Sequence, residues 1–239
     1  MGGFLRFVAW FALLVAGFVL VALPLVMGPL LANVLRDTGV HADDVNVQVA
    51  LFDPGLVLGR SRQVTVSATN VEMAPAKVGS INVTLGNVNF LDRSFETVSG
   101  ELEDVQLTLG KDTVSADYAT VDGPAGAATV TARFAAAQVA QLLTIAAAHN
   151  GLKLDDVRVS DSGVTVTVHG ISARAQVIVS AGALLLDPGL GVTVVLLQPT
   201  RNDPWSLTDA WFSTNGLNLS GTVDVFAIVH EMSSGDARR

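Results

Sequence analysis

There is no cysteine anywhere in the 239 residues. Disulfides, zinc–thiolate sites and thiol nucleophiles are therefore excluded. Basic residues are scarce, 14 Lys and Arg against 22 Asp and Glu, for a formal charge of −8. The deficit argues against a nucleic-acid binder, which presents a basic patch. It also argues against docking of the whole chain to anionic lipid by net charge. Aromatic residues are few, and Val, Ala, Leu and Gly dominate, which is the composition of strands packed on small side chains.

Charge is absent altogether from residues 7–32. That run of 26 residues exceeds the roughly 20 needed to cross a hydrocarbon core as a helix. It is longer than the apolar stretch of a signal peptide and is followed by no Ala-x-Ala site, so it reads as an uncleaved anchor. Arg6 before it and Arg36 and Asp37 after it mark the ends. Arg6 points the N-terminus to the cytoplasm and the remainder outside. The expected division is a membrane anchor at 1–36 and one extracytoplasmic β-rich domain at 37–239, in a single-pass protein of the cell membrane.

Beyond Arg36 the apolar residues alternate. Val45, Val47, Val49 and Leu51; Val64, Val66 and Ala68; Ile81, Val83 and Leu85; Val105, Leu107 and Leu109; Val164, Val166 and Val168; Ala175, Val177 and Val179; Val192, Val194 and Leu196; and Val223, Val225, Ala227 and Val229 all keep the period of a half-buried strand. Asp53-Pro54-Gly55, Gly86-Asn87, Gly110-Lys111-Asp112, Asp161-Ser162-Gly163 and Asp187-Pro188-Gly189 supply turn signals between them. Short turns between evenly spaced strands imply antiparallel pairing over one core.

Residues 134–149 break the pattern. They are apolar but for Gln138, Gln141, Thr144 and the terminal His149, and the first three fall on one stripe of a helix. Such a helix is expected to be mostly covered. A second, shorter helix is expected from Asp203-Pro204, an N-cap followed by proline, carrying Trp205, Leu207, Trp211 and Phe212.

Catalytic constellations are missing. There is no Gly-x-Ser-x-Gly elbow, no phosphate-binding glycine loop and no His-Glu-x-x-His, and the four histidines stand far apart. The acid pairs Asp43-Asp44, Glu103-Asp104 and Asp155-Asp156 each precede an alternating run. They lack the Asp-x-Asp-x-Asp-Gly loop of a calcium site, and read as solvated starts of related strands. The cluster Trp205, Trp211 and Phe212 fits a core, the wall of an apolar cavity, or a tip at a membrane interface.

Gly59-Arg60 with Val64-Thr65-Val66, and the stretch Ile81-Asn82-Val83-Thr84-Leu85-Gly86-Asn87-Val88, resemble the LmeA-like phospholipid-binding family of bacterial cell-envelope proteins. The downstream order is also similar: hairpins, an alanine-rich helix with Leu142-Leu143, Gly151-Leu152-Lys153-Leu154, then more hairpins. The resemblance covers about residues 33–230 and implies a tubular lipid-binding architecture that binds phospholipid without chemistry.

The combined expectation is an α+β fold: an N-terminal transmembrane helix, then an extensive, curved antiparallel sheet wrapping a mostly buried helix at 134–149. The expected ligand is a phospholipid or similar amphiphile, held in an apolar groove by Val139, Leu142, Leu143 and Ile145, with Trp205, Trp211 and Phe212 nearby or at its mouth. No cofactor, metal or nucleic acid is expected. The competing expectation is a structural or protein-interaction scaffold of the cell envelope, with a filled core and a working edge or patch.

Overall fold

The computed structural model describes residues 40–49, 54–73, 76–92, 94–109, 112–149, 153–187, 194–197, 203–213 and 216–227. The uncharged run at 7–32, and with it the expected anchor, lies outside them. Among the described residues no helix is long and apolar enough to cross a membrane.

Six strands follow one another as an antiparallel meander: β1 (Val40–Val49), β2 (Arg60–Met73), β3 (Ala76–Asn89), β4 (Thr97–Leu109), β5 (Asp112–Pro124) and β6 (Ala128–Ala135). A 3-10 turn, Pro54–Leu58, leads into β2. The chain then leaves this sheet through α1 (Ala136–His149). It forms a second sheet from β7 (Asp156–Ser160), β8 (Gly163–Val168), β9 (Ile171–Ser180), β10 (Ala183–Asp187) and β11 (Val194–Leu197). It returns as β12 (Trp205–Ser213) and β13 (Gly216–Val223), and β13 pairs with β6. Among the described residues the first sheet thus has eight strands in the order β1-β2-β3-β4-β5-β6-β13-β12, and the second has five in the order β11-β10-β9-β8-β7.

This corrects the expected architecture. The strands form two separate antiparallel sheets, and the first does not wrap α1. The helix packs against β7 and touches β5, β6 and β13. Val139 and Leu143 are buried, while Ala137, Gln141, Thr144 and Ala148 are exposed. Alternation specifies strands and a buried face but not which strands share a ladder, so two sheets and one sheet write the same pattern.

The expected helix after Asp203-Pro204 is strand β12. Trp205 and Leu207 are buried two residues apart on one face, paired with Val223 and Gly221. Burial of that face in an existing ladder overrides the capping signal. The run from Val223 to Val229 is likewise no strand as far as it is described: β13 ends at Val223, and residues 225–227 form a helical turn. Gly86-Asn87 lies within β3 rather than at a turn.

Inward-facing side chains of the first sheet stack in rows across strands. Ala68, Ile81, Leu102, Ala119, Ala132 and Leu219 oppose one another in sequence of strands, and Val66, Val83, Gly100, Val121 and Val130 form the next row. Each fully buried Val or Leu contributes about 1.5–3 kcal/mol relative to exposure. The outer face is polar, with hydroxyl pairs Thr65–Thr84 at 3.0 Å and Ser206–Thr222 at 2.9 Å bridging neighbouring strands.

A line of phase changes crosses the sheet, with the rungs from β2 to β5 in unbroken register. Buried residues there are spaced by three instead of two: Ala68 and Val71, Val78 and Ile81, Leu102 and Val105, Ala116 and Ala119. Asn70 and Asp104 stand on this line at φ 47° and 51°, and Asp44 stands in β1 at φ 48°, beside the register shifts between β1 and β2.

An aliphatic cleft between the helix and the second sheet

Phe134, fully buried at the end of β6, carries the chain into α1. The polar stripe expected on that helix has a defined partner. The Gln138 side-chain oxygen accepts from the Ser115 backbone N–H, and the Gln141 amide donates to the Thr113 carbonyl, both at 3.4 Å. Thr144 donates to the Ala140 carbonyl within the helix at 2.8 Å. The stripe therefore fastens one flank of α1 to β5. The apolar flank, roughly opposite on the helix, is left for the second sheet.

A cleft of about 40 Å³ lies along that flank. Val139, Leu142 and Leu143 line it from α1, Leu217 from β13, and Val177, Leu184 and Leu196 from β9, β10 and β11. All seven side chains are aliphatic, so the cleft offers no hydrogen bond and no charge. An apolar cavity of this kind stays dry and takes apolar ligands, but one of about 150 Å³ is needed to hold benzene. At 40 Å³ the seam is nearly closed.

Three of the seven residues expected at a lipid site, Val139, Leu142 and Leu143, thus come together. Ile145 is half-buried on the same helix but does not line the cleft. Trp205 is buried beside Val223, at the far end of β12 from Leu217. Phe212 sits on β12 directly opposite Leu217, half-buried at the margin of the cleft, and Trp211 beside it is exposed. Val177, Leu184, Leu196 and Leu217 were not among the expected site residues. Val177 and Leu196 stand in recognised alternating runs, but nothing local to any of the four indicates that they meet α1.

The acid pairs take another role than expected. Asp43-Asp44 and Glu103-Asp104 lie inside β1 and β4, with the second acid in the left-handed conformation that Asp tolerates. Only Asp155-Asp156 stands at a strand start, where Asp155 accepts from the Gly170 N–H at 3.1 Å. Among the described residues no three His, Asp or Glu side chains are grouped to hold a metal ion. Comparison of the chain with known family models, with curated proteins and with solved structures finds no match.

Proposed function

We propose that the domain is a non-catalytic module that takes an alkyl chain of a phospholipid or similar amphiphile between α1 and the second sheet. The observation that carries this reading is the all-aliphatic lining shared by two separately hydrogen-bonded layers. A chain entering there separates side chains and leaves each sheet's own ladder intact. Transfer from water contributes about 0.8 kcal/mol per buried methylene, so a chain of ordinary length offsets the widening of a closed seam. The resemblance over residues 33–230 points the same way. In this reading the module works at the outer face of a bacterial membrane, to which the uncharged run at 7–32 directs it.

A second reading, a scaffold that binds another envelope protein, is favoured by the near-closed state of the cleft and by the outer edge of β1, which no strand among the described residues pairs. Native mass spectrometry of residues 37–239, purified without detergent and checked for folding by circular dichroism, separates the two. About one co-purifying phospholipid per chain, lost in Leu142→Trp, supports the alkyl-chain site. A folded protein that stays at its apo mass after incubation with liposomes overturns it and leaves the scaffold reading.

A further inference from the structure

The last rung of the β2–β3 ladder is Arg60 opposite Asn89. Beyond it project two turns. The 3-10 turn exposes three consecutive aliphatic side chains, Leu56, Val57 and Leu58, the last two 92% and 69% accessible. The turn after β3 exposes Leu91 at 79%. The two turns are tied together: the Phe90 N–H donates to the Gly59 carbonyl at 2.8 Å, and the Gly59 N–H donates to the Leu56 carbonyl at 3.1 Å. Gly59 adopts φ +69°, and a Cβ there would lie 3.0 Å from Leu91 Cγ. Glycine thus lets Leu91 lie over the first turn, joining four aliphatic side chains in one projecting tip.

Behind the tip is an open groove of about 870 Å³ whose wall includes Gly55 of the same turn, Arg60, Arg62, Asn87 and Glu96. Phe95 and Phe226 form its apolar side, ring centroids 5.2 Å apart. The Glu96 carboxylate accepts from the Asn87 side-chain amide at 2.7 Å. The order along the strand axis is aliphatic side chains outermost, arginines one rung in, and a polar sheet face behind. That is the order of acyl region, phosphate layer and water at a bilayer surface. A protein-binding hot spot instead centres on buried aromatic or Arg anchors in a pocket, whereas this tip is convex, aliphatic and aimed outward.

We propose that this end of the first sheet docks on a phospholipid surface. Leu56, Val57, Leu58 and Leu91 enter the acyl region, and a lipid phosphate sits in the groove against Arg60 and Arg62, whose guanidinium groups match phosphate geometry. The inference does not rest on the cleft at α1, which lies toward the other end of the sheet.

The absence of native cysteine makes the test specific. Residues 37–239, checked for folding by circular dichroism, are mixed with vesicles of phosphatidylcholine and phosphatidylglycerol carrying spin-labelled acyl chains, since β1 starts at Val40 on the Lys77 end of the sheet and an anchor before it would bring that end to the bilayer. A fluorophore is placed at Val57→Cys or, at the opposite end of the sheet, at Lys77→Cys. The Val57 label is expected to be quenched by the acyl probe and the Lys77 label is not. Arg60→Gln with Arg62→Gln weakens the quenching in anionic vesicles more than in pure phosphatidylcholine. With the label moved to Leu58→Cys, Val57→Asp with Leu91→Asp lowers quenching about tenfold, because an acid is expelled from hydrocarbon. These positions are exposed, so the variants fold. Equal quenching at both ends overturns the proposal. So does a Val57 label that is shielded from aqueous iodide yet untouched by the acyl probe, which would mark a protein contact instead.

Discussion

Asp104 and Gly79 face each other on the line of phase changes. Asp104 holds φ 51°, and a Cβ on Gly79 would lie 2.9 Å from Asp104 Cβ. The left-handed backbone at 104 and the missing side chain at 79 are therefore one feature seen on two strands. Gly79→Ala is expected to lower stability by about 1–3 kcal/mol, the usual range for forcing a methyl group into a packed site. Asp104→Gly removes the opposing Cβ and relieves the left-handed strain, so it is expected to be close to neutral. In the Asp104→Gly background, Gly79→Ala should cost at least roughly 1 kcal/mol less than it does alone, a coupling of the size found for residues in contact. Urea denaturation of the four proteins closes the cycle. Strict additivity would mean that the two residues do not meet as described. The same geometry gives two of the three acid pairs a common role: Asp44 and Asp104 accept positive φ and stay in solvent.

Helix α1 has two flanks with different duties, and substitutions should separate them. Leu143 is buried between the layers, and Leu143→Ala is expected to cost about 2–5 kcal/mol. Gln141 is exposed and its bond to Thr113 is long, so Gln141→Ala should stay within about 0.5 kcal/mol by thermal unfolding. A large loss at Gln141 and none at Leu143 would reverse the assignment of the flanks. The helix itself, most strands and three cleft residues are legible from the sequence. Amphipathic periodicity is a local property, and Val139, Leu142 and Leu143 follow from where the polar stripe lies. The division into two sheets is not legible, because the alternation of Val164 or Val177 records a buried face without naming the layer that buries it. Strand β12 misleads for a related reason. Asp203-Pro204 with Trp205, Leu207, Trp211 and Phe212 satisfies a short helix locally, and only the pairing of Trp205 with Val223 and of Phe212 with Leu217 decides for a strand. The tip at Leu56 to Leu58 and Leu91 is equally hidden, since two turns some 30 residues apart become neighbours only when β2 pairs with β3.

At the scale of the whole molecule, the alkyl-chain reading requires that the seam open while the first sheet stays folded. The strand lengths favour this. β3 and β4 have 14 and 13 residues and are paired on both sides, whereas β7, β8, β10 and β11 have 5, 6, 5 and 4. The second sheet meets the first mainly where β9 and β10 pack on β12, and it meets α1 through β7. Local opening draws on such thinly connected units first. Hydrogen exchange should therefore show the amides of β7, β8, β10 and β11 exchanging well before those of β3 and β4, with bound amphiphile slowing the first group and leaving the second unchanged. The cleft and the docking tip also lie apart: the Leu217 row aligns with Asn70, ten residues along β2 from Arg60, or about 33 Å at 3.3 Å per residue. Exchange of both sheets in unison, with or without amphiphile, would instead make them one cooperative unit. The seam would then be ordinary core, and the tip would be left as the working surface of the protein.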